Sequence, residues 1–190
     1  MTTRPIDPDR VAAYADSLRA WADKITPEDI TPAVRWYADA REIAVTVADR
    51  LGVSVECGAV IVAAFSPRCP WARNIALAVD YASGREVRTI GAHIRAADRA
   101  VSLDRSGADP YDALGGPKTS AFARNIAGDL DPVTVDVWHL RAAGVTDRDA
   151  PTVVQYREIT AATRLVAEEY GYAPAVLQAI VWTAIRGGAS

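Results

Sequence analysis

Apolar residues recur along this chain at three- and four-residue steps almost throughout, the spacing that puts them on one face of an α-helix. Residues 9 to 23 set Val11, Tyr14, Ala15, Leu18 and Trp21 in such a stripe. Thr31 followed by Pro32 predicts a helix start, a cap residue and then a proline at the first helical position, with the helix running to Leu51 and stopping at Gly52. Ser54 can cap the segment VECGAVIVAAF, which is apolar on every face and therefore predicts a buried central helix. SPRCPW breaks the pattern. ARNIALAVDYA and IGAHIRAADRAVSL are two further helical segments, the first ended by Ser83 and Gly84.

Asp109 and Pro110 start a short helix, PYDAL, ahead of Gly115 and Gly116. Residues 118 to 127 form the next helix, closed by Gly128, and Asp136 can cap VWHLRAAG. Two last helices, about 152 to 170 and 174 to 186, are divided by Gly171 and Pro174. VTV at 133 to 135 carries the strand signal, too short for a sheet beside Pro132. The expected fold class is all-α, a two-lobed helical domain of nine or ten helices over residues 1 to 190, with frayed ends at 1 to 8 and 187 to 190.

Composition narrows the function. With 50% hydrophobic and 24% charged residues the chain reads as globular, and a net charge of −3 argues against an extended, non-specific nucleic-acid surface while leaving room for a local basic face. Cys57 and Cys69 stand twelve apart without a CxxC, and His93 and His139 are not paired at helical spacing, so neither a metal site nor a cofactor is expected. Each cysteine reads as a small core residue. With neither a charged-then-apolar leader nor an 18-residue apolar run, the expected location is cytoplasmic, with no membrane partner. The oligomeric state is not legible.

One residue stands out. Of 21 lysines and arginines only Lys24 and Lys118 are lysines, and Lys118 sits in the turn Leu114-Gly115-Gly116-Pro117-Lys118-Thr119. Arginine can bind phosphate, but a lysine can also lose its proton and attack carbon. Glycines let a backbone approach a phosphate, and the N–H groups opening the next helix point at the anion with the helix dipole behind them.

LGGPKTS, then FARNIAG, then VDVWHLR resembles the helix-hairpin-helix DNA glycosylase superfamily, endonuclease III-like, in its L-P-G-(V/I)-G-x-K-T-A and V-D-(T)-(H)-x-x-R segments. Asp136 follows Lys118 by eighteen residues and Arg141 follows Asp136 by five, as in that family. VRTIGAHIRAADRAV and VIVAAFSPRCPWARN are similar to its T-I-G turn and to its buried helix ending in L-S-x-Q, so the likeness covers about residues 55 to 145. Leu114 stands at the first hairpin glycine, Pro117 precedes the lysine, Trp138 replaces a histidine, and the four-cysteine cluster is absent. More loosely, the chain resembles small proteins of actinobacterial phages.

The resemblance implies a DNA partner and an enzyme that flips a damaged or modified base and cleaves or remodels its N-glycosidic bond. Lys118 would be the Schiff-base nucleophile and Asp136 the carboxylate that steadies the sugar cation. Gly115, Gly116, Pro117, Thr119, Arg68 and Arg73 would meet nucleic acid, and Trp71, Trp138 and Ser66 would line the base pocket. Thymine hypermodification on the same scaffold and a non-catalytic DNA-binding module are the alternatives. By their own chemistry, Asp136 is also a good helix cap and Asp129 a turn residue or second acid. Asn125 reads as helix surface, and Trp21, Trp36 and Trp182 as core.

Overall fold

The computed structural model describes residues 4 to 186, leaving aside the side chains of residues 27 to 29. Among the described residues the fold is all-α: nine α-helices, no strand and one 3₁₀ turn. The chain divides into two compact units, the first made of residues up to Trp36 and from Leu130 onward, the second of Tyr37 to Asp129.

In the first unit, helix α1 (Pro8–Ala22) packs on α8 (Val153–Tyr170), and α7 (Val137–Ala142) and α9 (Pro174–Ile185) complete the group. Val11, Ala15 and Leu18 from α1 meet Ile159 and Val166 from α8 in one core, as the three- and four-residue stripe requires. The VTV segment forms no strand. Val133 and Val135 enter that core, and the Tyr156 hydroxyl donates to the Val133 carbonyl at 2.6 Å. Part of the amino-terminal segment expected to fray is tied down. The Asp7 N–H and the Arg10 guanidinium both donate to the fully buried Glu158, and Arg157 donates to the Arg4 carbonyl. Residues 1 to 3 and the expected fray at 187 to 190 lie outside the described residues.

Helix α2 runs Pro27–Leu51, five residues longer at its start than the Thr31-Pro32 signal predicts. The sequence carries Thr-Pro twice, at 26 to 27 and at 31 to 32, and the helix uses the first. Pro32 is thus inside the helix, where it removes one i→i−4 donor in the second turn.

The second unit is built around α3 (Val55–Phe65). Every residue from Cys57 to Phe65 is buried, so this helix is central, as its all-round apolarity predicts. Ser54 caps it, accepting from the Cys57 N–H at 3.1 Å. Helices α4 (Trp71–Ala82), α5 (Gly91–Arg105) and α6 (Pro117–Ala127), with the 3₁₀ turn Pro110–Ala113, pack around it. Helix α2 comes close to α3 at Gly58, where an added Cβ would stand 2.2 Å from the Ala44 carbonyl oxygen.

Candidate functional site

The Gly-rich turn links the 3₁₀ turn to α6. Its first arm is a single turn, Pro110–Ala113, capped by Asp109, which accepts from the Tyr111 N–H at 2.9 Å. Gly116 then adopts φ 88° and ψ 151°, a region reserved for glycine, and the chain enters α6 at Pro117. The two arms are braced by Arg124 of α6, whose guanidinium lies 4.1 Å from the Tyr111 ring centroid and 3.8 Å from the Asp109 carboxylate. Burial pushes the Tyr111 phenol up to about 12, so it stays protonated and keeps its quadrupole for the stacked guanidinium.

No side chain caps α6. Pro117 carries no N–H, so the Lys118 and Thr119 amides open the helix, with Gly115, Gly116, Pro117 and Lys118 exposed and Thr119 half-buried. The turn thereby offers free N–H groups, the positive end of a helix and one ammonium at a single place. Asn125 is no surface residue. It is fully buried, and its amide donates to the Asp129 carbonyl at 2.9 Å, closing the end of α6 past Gly128. Asp129 thus acts there through its backbone.

Asp136 belongs to the first unit and is half-buried. Its Oδ1 accepts the His139 N–H at 2.8 Å, the cap expected of it, and its Oδ2 accepts the Trp182 indole N–H at 2.9 Å. Trp182, read from the sequence as core, is half-buried and fixes this carboxylate from α9. Its ring is covered by Arg186 at 4.4 Å. Trp138 presents its ring to two guanidiniums, Arg141 at 5.2 Å and Arg186 at 5.9 Å. Trp21 and Trp36 are half-buried, Trp21 against the first unit's core.

Behind Asp136 the fully buried His139 touches Thr163 at 2.9 Å through Nε2. The Thr163 hydroxyl donates to the Ile159 carbonyl at 2.8 Å, so Nε2 of the imidazole is the donor and Nδ1 carries the lone pair. Nδ1 has no partner. Burial pushes the imidazole down to about 4 against the opposing pull of Asp136, and His139 is neutral at pH 7.

The remaining sequence-predicted residues gather at the turn between α3 and α4. Ser66 closes α3, its hydroxyl donating to the Ala63 carbonyl at 2.8 Å. Arg68 sits at φ 56°, the one non-glycine residue with positive φ among those described. Trp71 opens α4 and meets Phe122 of α6 edge to face at 6.5 Å. Arg68 and Arg73 line a cleft of about 500 Å³ with Cys69, Arg88, Thr89 and His93, the last three of which the sequence reading did not connect to a site. Cys57 is a core residue as expected, but Cys69 is half-buried in the wall of this cleft, because Pro67 and Pro70 end the helical packing around it. Among the described residues no group of three or more His, Cys, Asp or Glu side chains could hold a metal ion, and no helix is long and apolar enough to cross a membrane.

The chain belongs to a family of unknown function (DUF7178), whose match spans residues 1–189. No curated protein and no solved structure matches it.

Proposed function

We propose that the chain is a cytoplasmic DNA-binding enzyme of glycosylase type, acting on a flipped, damaged or modified base, with Lys118 as the attacking amine. The observation that carries the reading is the start of α6. Gly116 holds a glycine-only conformation, the helix is left without a side-chain cap, and an exposed lysine stands at its second residue. Uncapped N–H groups at the positive end of a helix suit a phosphate oxygen, and a primary amine at the same point suits attack on C1′. Amine attack at C1′ breaks the N-glycosidic bond, and the base leaves with the bonding electron pair and takes up a proton; the attacking nitrogen sheds its extra proton, its lone pair then expels O4′, and with the C1′–O4′ bond broken and O4′ protonated the amine is left as a Schiff base to the opened sugar.

A second reading, a DNA-binding module without chemistry, is favoured by one observation: both Asp136 oxygens already accept intramolecular hydrogen bonds. Borohydride reduction with DNA bearing an abasic site separates the two. The wild type and Lys24→Arg form a covalent adduct, and Lys118→Arg binds the DNA without forming one. Binding with no adduct in the wild type leaves the module reading, and absence of DNA binding removes both.

A further inference from the structure

The cleft at the α3–α4 turn collects positive charge without collecting negative. Arg68, Arg73 and Arg88 line it with His93, and no carboxylate does. Arg68 makes no ion pair or hydrogen bond among the described residues, and Arg73 has only the Arg88 carbonyl, at 3.4 Å. Arg88 reaches Glu86 at 3.4 Å, a pair with both side chains mostly in solvent and therefore easily exchanged. Elsewhere Arg10, Arg19, Arg85, Arg141, Arg148 and Arg164 each hold a carboxylate within 3.1 Å.

Two helix starts add to this field. Pro70 and Ile90, the residues that precede α4 and α5, both line the cleft, and neither helix has a side-chain cap. By contrast Asp7, Ser54, Asp136 and Thr152 cap α1, α3, α7 and α8. Arg95 lays its guanidinium back over Gly91, the first residue of α5. Three guanidiniums and two positive helix ends repel one another unless an anion joins them. The lining is also partly apolar, with Leu77 and an Ile90 that is 61% exposed over the buried Phe65.

We propose that this cleft is a binding site for a phosphate monoester on a flat, partly apolar body, a nucleoside monophosphate or the 5′-phosphate end of a strand. The monoester carries close to two negative charges at neutral pH and three acceptor oxygens, which suits fork-shaped donors on Arg73 and Arg88 in the field of the two helix starts. The apolar lining takes the base, and the cleft's volume falls in the range of about 300–1,000 Å³ that accepts small ligands. The site stands on the second unit alone and uses neither Lys118 nor Asp136.

Cys69 supplies the assay. It lies in the cleft wall, whereas Cys57 is buried in α3 with its thiol pushed up to about 12 by desolvation, so a neutral alkylating reagent modifies Cys69 selectively. At constant ionic strength, thymidine monophosphate at about 1 mM slows alkylation of Cys69 and gives a binding isotherm by calorimetry, and thymidine does neither. Arg73→Glu and Arg88→Glu, both at exposed positions, each weaken the nucleotide by about ten-fold or more. Inorganic phosphate protects more weakly, and a 5′-phosphorylated oligonucleotide protects better than its 5′-hydroxyl counterpart if a strand end is the natural source. Equal protection by the two oligonucleotides, with none from the nucleotide, overturns the monoester assignment. So does the absence of both protection and heat with every phosphate tested.

Discussion

Mild acid should destabilise the first unit above the ordinary carboxylate range, and the cause is one imidazole. His139 is fully buried, its Nε2–H is spent on Thr163, and a proton added at Nδ1 would make a buried donor with no acceptor. Desolvation pushes the group from its ordinary 6.5 down to about 4, although Asp136 pulls the other way. The folded state therefore binds this proton less readily than the unfolded chain. Between those two values the unfolded state holds more protons, so stability rises with pH there and is lost as pH falls from about 6.5 toward 4. Linkage with these two values makes the loss about 2 kcal/mol between pH 7 and pH 5, and about 3 kcal/mol at its limit. The window above pH 5 lies clear of the ordinary carboxylate range.

Urea denaturation followed by tryptophan fluorescence is the assay. Four of the five tryptophans, Trp21, Trp36, Trp138 and Trp182, belong to the first unit and report on it. His139→Gln keeps an amide donor for Thr163 but cannot titrate. Its stability at pH 7 falls for reasons of packing, yet its change between pH 7 and pH 5 shrinks to a few tenths of a kcal/mol. Equal pH slopes in the wild type and His139→Gln would refute the argument, as would a wild-type loss well under 1 kcal/mol across that interval.

Two other substitutions test the framework. Gly58→Ala drives a Cβ to 2.2 Å from the Ala44 carbonyl oxygen, which is backbone and cannot swing aside, so the second unit loses about 3 kcal/mol or fails to fold; far-UV circular dichroism in urea reads the shift, and an unchanged midpoint removes the close crossing of α2 and α3. Asp136→Asn keeps one acceptor oxygen where two are used, so either the His139 cap or the Trp182 contact is lost at a cost of about 1 kcal/mol. A thermal melt equal to the wild type would show that Trp182 does not depend on that oxygen.

The sequence by itself determined the helices. Local periodicity, capping residues and glycine stops place α1, α3, α6, α8 and α9 because each signal acts within a turn or two of the residue that carries it. Where two such signals compete, as in the Thr-Pro pairs at 26 to 27 and 31 to 32, the local code is degenerate, and the longer helix of the folded chain settled the start. The Gly-rich turn with Lys118 was legible for the same reason: its glycines and lysine are consecutive. Partners far apart in sequence were not. Trp182 on Asp136, Asp7 and Arg10 on Glu158, and the meeting of Arg73 with Arg88 and His93 depend on which helix faces carry those side chains. No helix repeat records that information. Burial is likewise a tertiary property. Asn125 and Cys69 are a helical amide and a small thiol in the sequence, and only the packing of α6 and the prolines of the α3–α4 turn decided that the first is enclosed and the second stands in a cleft wall.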